Sequence, residues 1–69
     1  MSVAKNIEIT STSKVSFEDA INTGIQRASQ TINNIRGAWI KEQKIEVTDG
    51  KVSEYRVMMI LTFVLSDQE

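Results

Sequence analysis

The stretch that most limits what this chain can become is VMMILTFVL, residues 57–65. It is about half the length a membrane-spanning helix requires. Val57, Met59, Leu61, Phe63 and Leu65 fall on one parity, and Met58, Ile60 and Val64 on the other. An antiparallel strand with one face in water alternates between apolar and polar residues. This strand does not alternate, so both of its faces need cover. Leaving Met58 and Ile60 in water would forgo roughly 1.5–3 kcal/mol per side chain.

Cover is scarce. The chain has 69 residues, with no proline, linker, repeat or low-complexity tract, so residues 1–69 read as one domain. A domain of this size buries too little surface to be robust as a monomer. Disulfides, structural metals and self-association are the usual remedies. There is no cysteine and no histidine. Disulfides are therefore excluded, as are the usual zinc ligands and the usual neutral-pH general base. Self-association remains. The net charge of −1 and the absence of a basic block argue against nucleic acid as the main partner. The start, MSVAKNIEI, has no long apolar run. The expectation is a cytoplasmic protein with neither a membrane nor a nucleic-acid partner.

The rest of the chain supplies one face of cover. Residues 3–10 alternate, with Val3, Ile7 and Ile9 on one side, and read as a half-buried strand ended by STSK. Residues 16–35 read as a helix. Phe17, Ala20, Ile21, Ile25, Ala28, Ile32 and Ile35 form a stripe at spacings of three and four. Ser16 and Asp19 fit a capping box. Gly24 lies in the stripe, where it costs roughly 1 kcal/mol against Ala, and close helix–sheet contact is one reason to keep it. Gly37 either ends the helix in a left-handed cap or opens the next strand.

Residues 38–48 and 51–65 read as strands joined by the hairpin pair Asp49-Gly50. If those two form the turn, Val47 opposes Val52 and Gln43 opposes Arg56. Trp39 and Gln43 then share a face with Arg56, Met58 and Ile60. The other face carries Ala38, Ile40, Tyr55, Val57, Met59, Leu61 and Phe63, and a longer loop would exchange the two. A helical crossover makes strands one and two parallel, with strand three antiparallel between them. The fold class is therefore α+β: βαββ, a three-stranded antiparallel sheet of order 1-3-2 with one helix on one face. The uncovered face is expected to meet other copies of the chain.

These features, taken in order, are TSTSKVSFEDAI, the helix end RASQTINNI, the DG hairpin and the closing YRV…FVL. Together they resemble the dodecins over nearly the whole chain without gaps. The resemblance implies a hollow homododecamer. It further implies a small-molecule ligand, a flavin such as FMN, riboflavin or FAD, held in pairs between tryptophans of neighbouring subunits and stored rather than turned over. Along the gapless match, the stacking tryptophan's position is Gly37, with Trp39 two residues later. A glutamate of the motif is retained as Glu46. A glutamine that meets the flavin's pyrimidine edge is replaced by Arg56. IRGAWIKEQ and YRV are closer to the mycobacterial calcium-type branch, which lacks the stacking tryptophan and is associated with calcium.

The candidate ligand-binding residues are thus Gly37, Trp39, Glu46 and Arg56. Trp39 shares a strand face with Gly37, so it is either a displaced stacking platform or a subunit contact, where tryptophan is enriched. Arg56 offers donors only. It can hold a carbonyl or phosphate, stack on a ring, or pair with Glu46, Glu42 or Glu54. Glu42, Glu46, Asp49, Glu54, Asp67 and Glu69 are the acids that symmetry would have to gather for a calcium site. No contiguous loop supplies the six to eight oxygens calcium takes, so no metal ligand is assigned. No residues converge on a catalytic site, and none is assigned. The leading expectation is a non-enzymatic dodecamer that sequesters a planar ligand. The alternative is a structural or calcium-binding shell without flavin.

Overall fold

A computed structural model describes residues 3–65. The element order is β1 (Ala4–Ser13), α1 (Phe17–Ser29), β2 (Ile35–Thr48) and β3 (Lys51–Val64). The sheet order is β1-β3-β2, with both pairings to β3 antiparallel. The expected fold class is the one observed.

β1 runs three residues further than the alternation suggests. STS does not break the strand, because Ser11 and Ser13 continue the inward parity of Ile7 and Ile9 and find partners there. Ser11 Oγ donates to the Ala20 carbonyl at 2.7 Å. Ser13 Oγ accepts from Val15 N at 2.9 Å and donates to Asp19 Oδ2 at 2.7 Å. Small hydroxyl side chains serve as strand residues here because the helix backbone lies close above them.

α1 starts as the capping signal implies: Ser16 Oγ accepts from Asp19 N at 2.9 Å. The return bond of a capping box is not made, since Asp19 bonds Ser13 instead. The helix ends at Ser29 rather than 35, so Ile32 and Ile35 are not helical. Gln30, Thr31 and Ile32 tighten onto the carbonyls of Arg27 and Ala28. The Ser, Thr and Asn side chains of this region compete for backbone bonds and weaken the helix. Asn34, at φ 66°, then swings the chain into β2. The left-handed residue is thus Asn34, not Gly37, which lies within β2. Asn tolerates that conformation better than most non-glycine residues.

The hairpin turns at Asp49 (φ 55°) and Gly50 (φ 77°), as expected. Val47 pairs with Val52, but Gln43 pairs with Val57 rather than Arg56. Two bulges cause the difference. Ser53 of β3 and Lys41 of β2 are extra residues on opposite strands, so the register moves by one between them and returns afterwards. Each bulge reverses the parity of the residues beyond it. Gln43 therefore sits on the helix side, while Trp39, beyond the second bulge, pairs with Ile60 as expected.

The core is Ala20, Val57, Met59 and Leu61, all fully buried, with Ile7, Ile9, Phe17, Ile21, Ile25, Ala28 and Ile35 packed around them. Phe17 meets Tyr55 edge to face at 5.1 Å between ring centroids. Gly24 lets the helix approach the sheet. A Cβ there would lie 2.7 Å from Met59 Cε and 2.9 Å from Ser11 Cβ. The helix packs on β1 and β3. Beyond Ile35, β2 stands clear of it. The radius of gyration, 14.3 Å, exceeds the roughly 11 Å of a compact chain this long. No helix among the described residues is long and apolar enough to cross a membrane.

Candidate functional site

The register places a set of side chains on the sheet face opposite the helix. Even residues of β1 and β3 share this outer face. Reading across the sheet, Asn6 and Thr62 align with Gly37, Glu8 and Ile60 with Trp39, Thr10 and Met58 with Glu42, and Thr12 and Arg56 with Lys44. Glu54 and Glu46 close the series near the hairpin.

Along β2, apolar and charged residues are exposed alike. Trp39 is 52% exposed, and Ile40, Ile45 and Val47 of the same strand are also exposed, while Glu46 is half-buried. On the outer face, Met58 and Ile60 are only partly covered. Lys41 Nζ reaches from its bulge across β3 to Glu8 Oε1 at 3.2 Å. Both groups are well exposed, so that pair contributes little to stability.

The four candidate residues fall into two pairs. Gly37 and Trp39 are neighbours along β2, in adjacent rows. A Cβ at Gly37 would meet nothing within 4 Å, so the backbone there is an open, flat floor beside the indole. Trp39 is not a core residue, and it has no aromatic partner among the described residues. The second pair is Glu46 and Arg56. Arg56 lies 3.9 Å from Glu46 and 3.6 Å from Glu54. Glu42 pairs with Met58 and takes no part. Of the roles open to Arg56, ion pairing with Glu46 and Glu54 is the one seen within this chain. The guanidinium separates two carboxylates that would otherwise face each other as like charges across the strands.

The two pairs are not brought together within one chain. Ile60, opposite Trp39, and Arg56 are four residues apart on β3, about 13 Å at the usual strand rise. A planar group resting by Trp39 would not reach Arg56 of the same chain. Gly37 and Trp39 fit a flat ring system: one supplies clearance, the other an aromatic wall. Arg56, held between two acids, does not fit the donor-and-acceptor part of a flavin's imide edge.

Among the described residues no three acidic, cysteine or histidine side chains cluster as a metal site. Asp67 and Glu69 lie outside the described residues. Sequence reasoning missed Asn6 and Thr62, which hydrogen-bond to each other in the row of Gly37 (Thr62 Oγ1 to Asn6 Oδ1, 2.7 Å). Their parity is legible in the chain. The β1–β3 register that joins them to Gly37 is not.

The chain matches the family model for dodecin over residues 3–66. It is 36% identical over 63 residues to the calcium dodecin of Mycobacterium tuberculosis, covering 91% of this chain and 89% of that protein. The fold matches the dodecin from Streptomyces davaonensis with a TM-score of 0.91 at 30% identity, over 96% of this chain and 97% of the other. The crystal structure of the M. tuberculosis calcium dodecin, described as having a calcium-binding site, matches with a TM-score of 0.80 at 34% identity, over 97% and 96%. Of these two structures, the mycobacterial one has the higher identity and the Streptomyces one the better backbone match.

Proposed function

The chain belongs to the dodecin family, and from that membership we propose that it is a non-enzymatic homo-oligomer, a dodecamer, that sequesters a planar ligand between subunits. The ligand class is a flavin or a related nucleotide-like ring system. One observation carries this reading: the outer face leaves Trp39 half-exposed beside an empty strand position at Gly37. A second copy closing over Met58 and Ile60 would remove apolar surface from water. No side chain fills the space at Gly37, so a flat ring in that gap would complete the packing.

The chain's own residues have simple tasks. Trp39 offers a ring face or edge. Gly37 keeps the backbone accessible. Glu46, Glu54 and Arg56 form a rim about 13 Å away by strand rise. On this reading, the activity of these residues is binding rather than turnover. The test is Trp39 fluorescence during titration with riboflavin. Saturable quenching supports the reading, and an unchanged emission over the whole titration refutes it.

The name and identity of the mycobacterial relative favour a second reading, a calcium-binding shell. It requires carboxylates from several copies, because Glu46 and Glu54 of one chain are already partnered by Arg56. A rise in thermal stability with calcium, without tryptophan quenching by riboflavin, would favour it.

A further inference from the structure

The open floor at Gly37 ends in a polar pair. Gly37, Thr62 and Asn6 lie in one row across β2, β3 and β1, on the outer face. Two inter-strand spacings separate Gly37 from Asn6, roughly 10 Å, which is the length of a fused three-ring plane. The Thr62 hydroxyl donates to Asn6 Oδ1 at 2.7 Å. That bond orients the amide: Oδ1 turns toward Thr62, and the two Nδ2 hydrogens turn away from it. Oδ1 keeps a second lone pair. Asn6 is exposed, and no other side-chain hydrogen bond to it is formed among the described residues.

We infer that Asn6, oriented by Thr62, reads the polar edge of the planar ligand. This rests on the ligand-binding reading above and names the residue that gives it specificity. A ring laid across the row has its apolar end over Gly37 beside Trp39 and its heteroatom edge at Asn6. An imide edge presents acceptor, donor, acceptor. Asn6 answers with the second lone pair of Oδ1, which accepts the ring N–H. Arg56, which offers no acceptor and lies several rows away between Glu46 and Glu54, cannot do this. The specificity group thus comes from β1 instead of the hairpin.

The probes are lumiflavin and 3-methyllumiflavin, which differ in the ring N–H that Asn6 would accept. Trp39 quenching gives both affinities on the assembled protein. The unaltered chain should prefer lumiflavin by about tenfold or more, the discrimination expected when a buried polar partner is left unpaired. Asn6→Leu should bind the two alike. Thr62→Val, a milder change that keeps Asn6 but frees its amide, should reduce the preference. A purely structural Asn6–Thr62 pair would alter melting temperature and leave the preference intact, which overturns the inference. Equal binding of both probes by the unaltered chain also overturns it, while sparing the ligand-binding reading. Absence of quenching by either probe overturns both.

Discussion

Trp39 of β2 and Ile60 of β3 stand directly opposite each other on the sheet face that the helix leaves open. The pairing depends on the Lys41 bulge. Were Lys41 an ordinary ladder residue instead of a bulge, the parity of Glu42, Lys44 and Glu46 would carry Trp39 to the helix side. The outer face is therefore apolar at its centre, and in the proposed function it is the surface through which copies of the chain meet.

Ile60→Asp tests that surface. A carboxylate opposite Trp39 would be buried at a copy-to-copy contact beside Glu8, a like charge in the same row, with one lysine, Lys41, shared between the two. The expected result is a shift of the size-exclusion peak to a much smaller species. An unchanged profile would place the contact elsewhere.

Gly24→Val tests the helix–sheet approach. The new side chain would meet Met59 and the Cβ of Ser11, whose hydroxyl is committed to Ala20. Met59 can shift, but Ser11 is tied to both the strand and the helix. A loss of about 1–3 kcal/mol is expected from overpacking, read as a lower melting temperature. Pairing the change with Ser11→Gly should recover part of it.

Arg56→Met leaves Glu46 and Glu54 opposed across the strands with no cation between them. Thermal stability should fall most at low ionic strength. Added salt should recover part of the loss by screening the two carboxylates. A loss that is the same at all salt concentrations would mean that Arg56 matters by packing.

Gly37→Trp puts an indole into the gap that the ring is proposed to fill, where even a Cβ would meet nothing within 4 Å. The side chain would compete with the ligand for this floor, and riboflavin affinity should fall by roughly five- to a hundredfold in a fluorescence titration, the loss of a stacking contact worth about 1–3 kcal/mol. An unchanged or higher affinity would show that the ring does not rest on the Gly37 floor.

Much of this architecture is legible in the residues. The two-sided apolar strand, the Ser16 cap and the Asp49-Gly50 turn each have a local cause, and all are present. The need for Gly24 is also legible, because a glycine in an apolar stripe points to a close contact. The bulges are not. Neither Lys41 nor Ser53 differs in type from its neighbours, and a bulge is a compromise between strands that no single strand records. Gln43 lies on the opposite face from the one its spacing implies for that reason. The helix stops short of its apolar stripe because Ile32 and Ile35 extend the period, while the Ser, Thr and Asn residues around them act on the backbone. The candidate site is half legible. The ion pairs of Arg56 are among the roles its chemistry allows. Asn6 enters only through the β1–β3 register, a contact between residues 56 positions apart.

The most direct test is native mass spectrometry of the purified protein with riboflavin added. The expected species has a mass of about 94 kDa, twelve chains of 7.8 kDa, and carries a whole number of ligands that is lost on Ile60→Asp. A 7.8 kDa monomer, or an assembly whose mass does not change with riboflavin, would contradict this expectation.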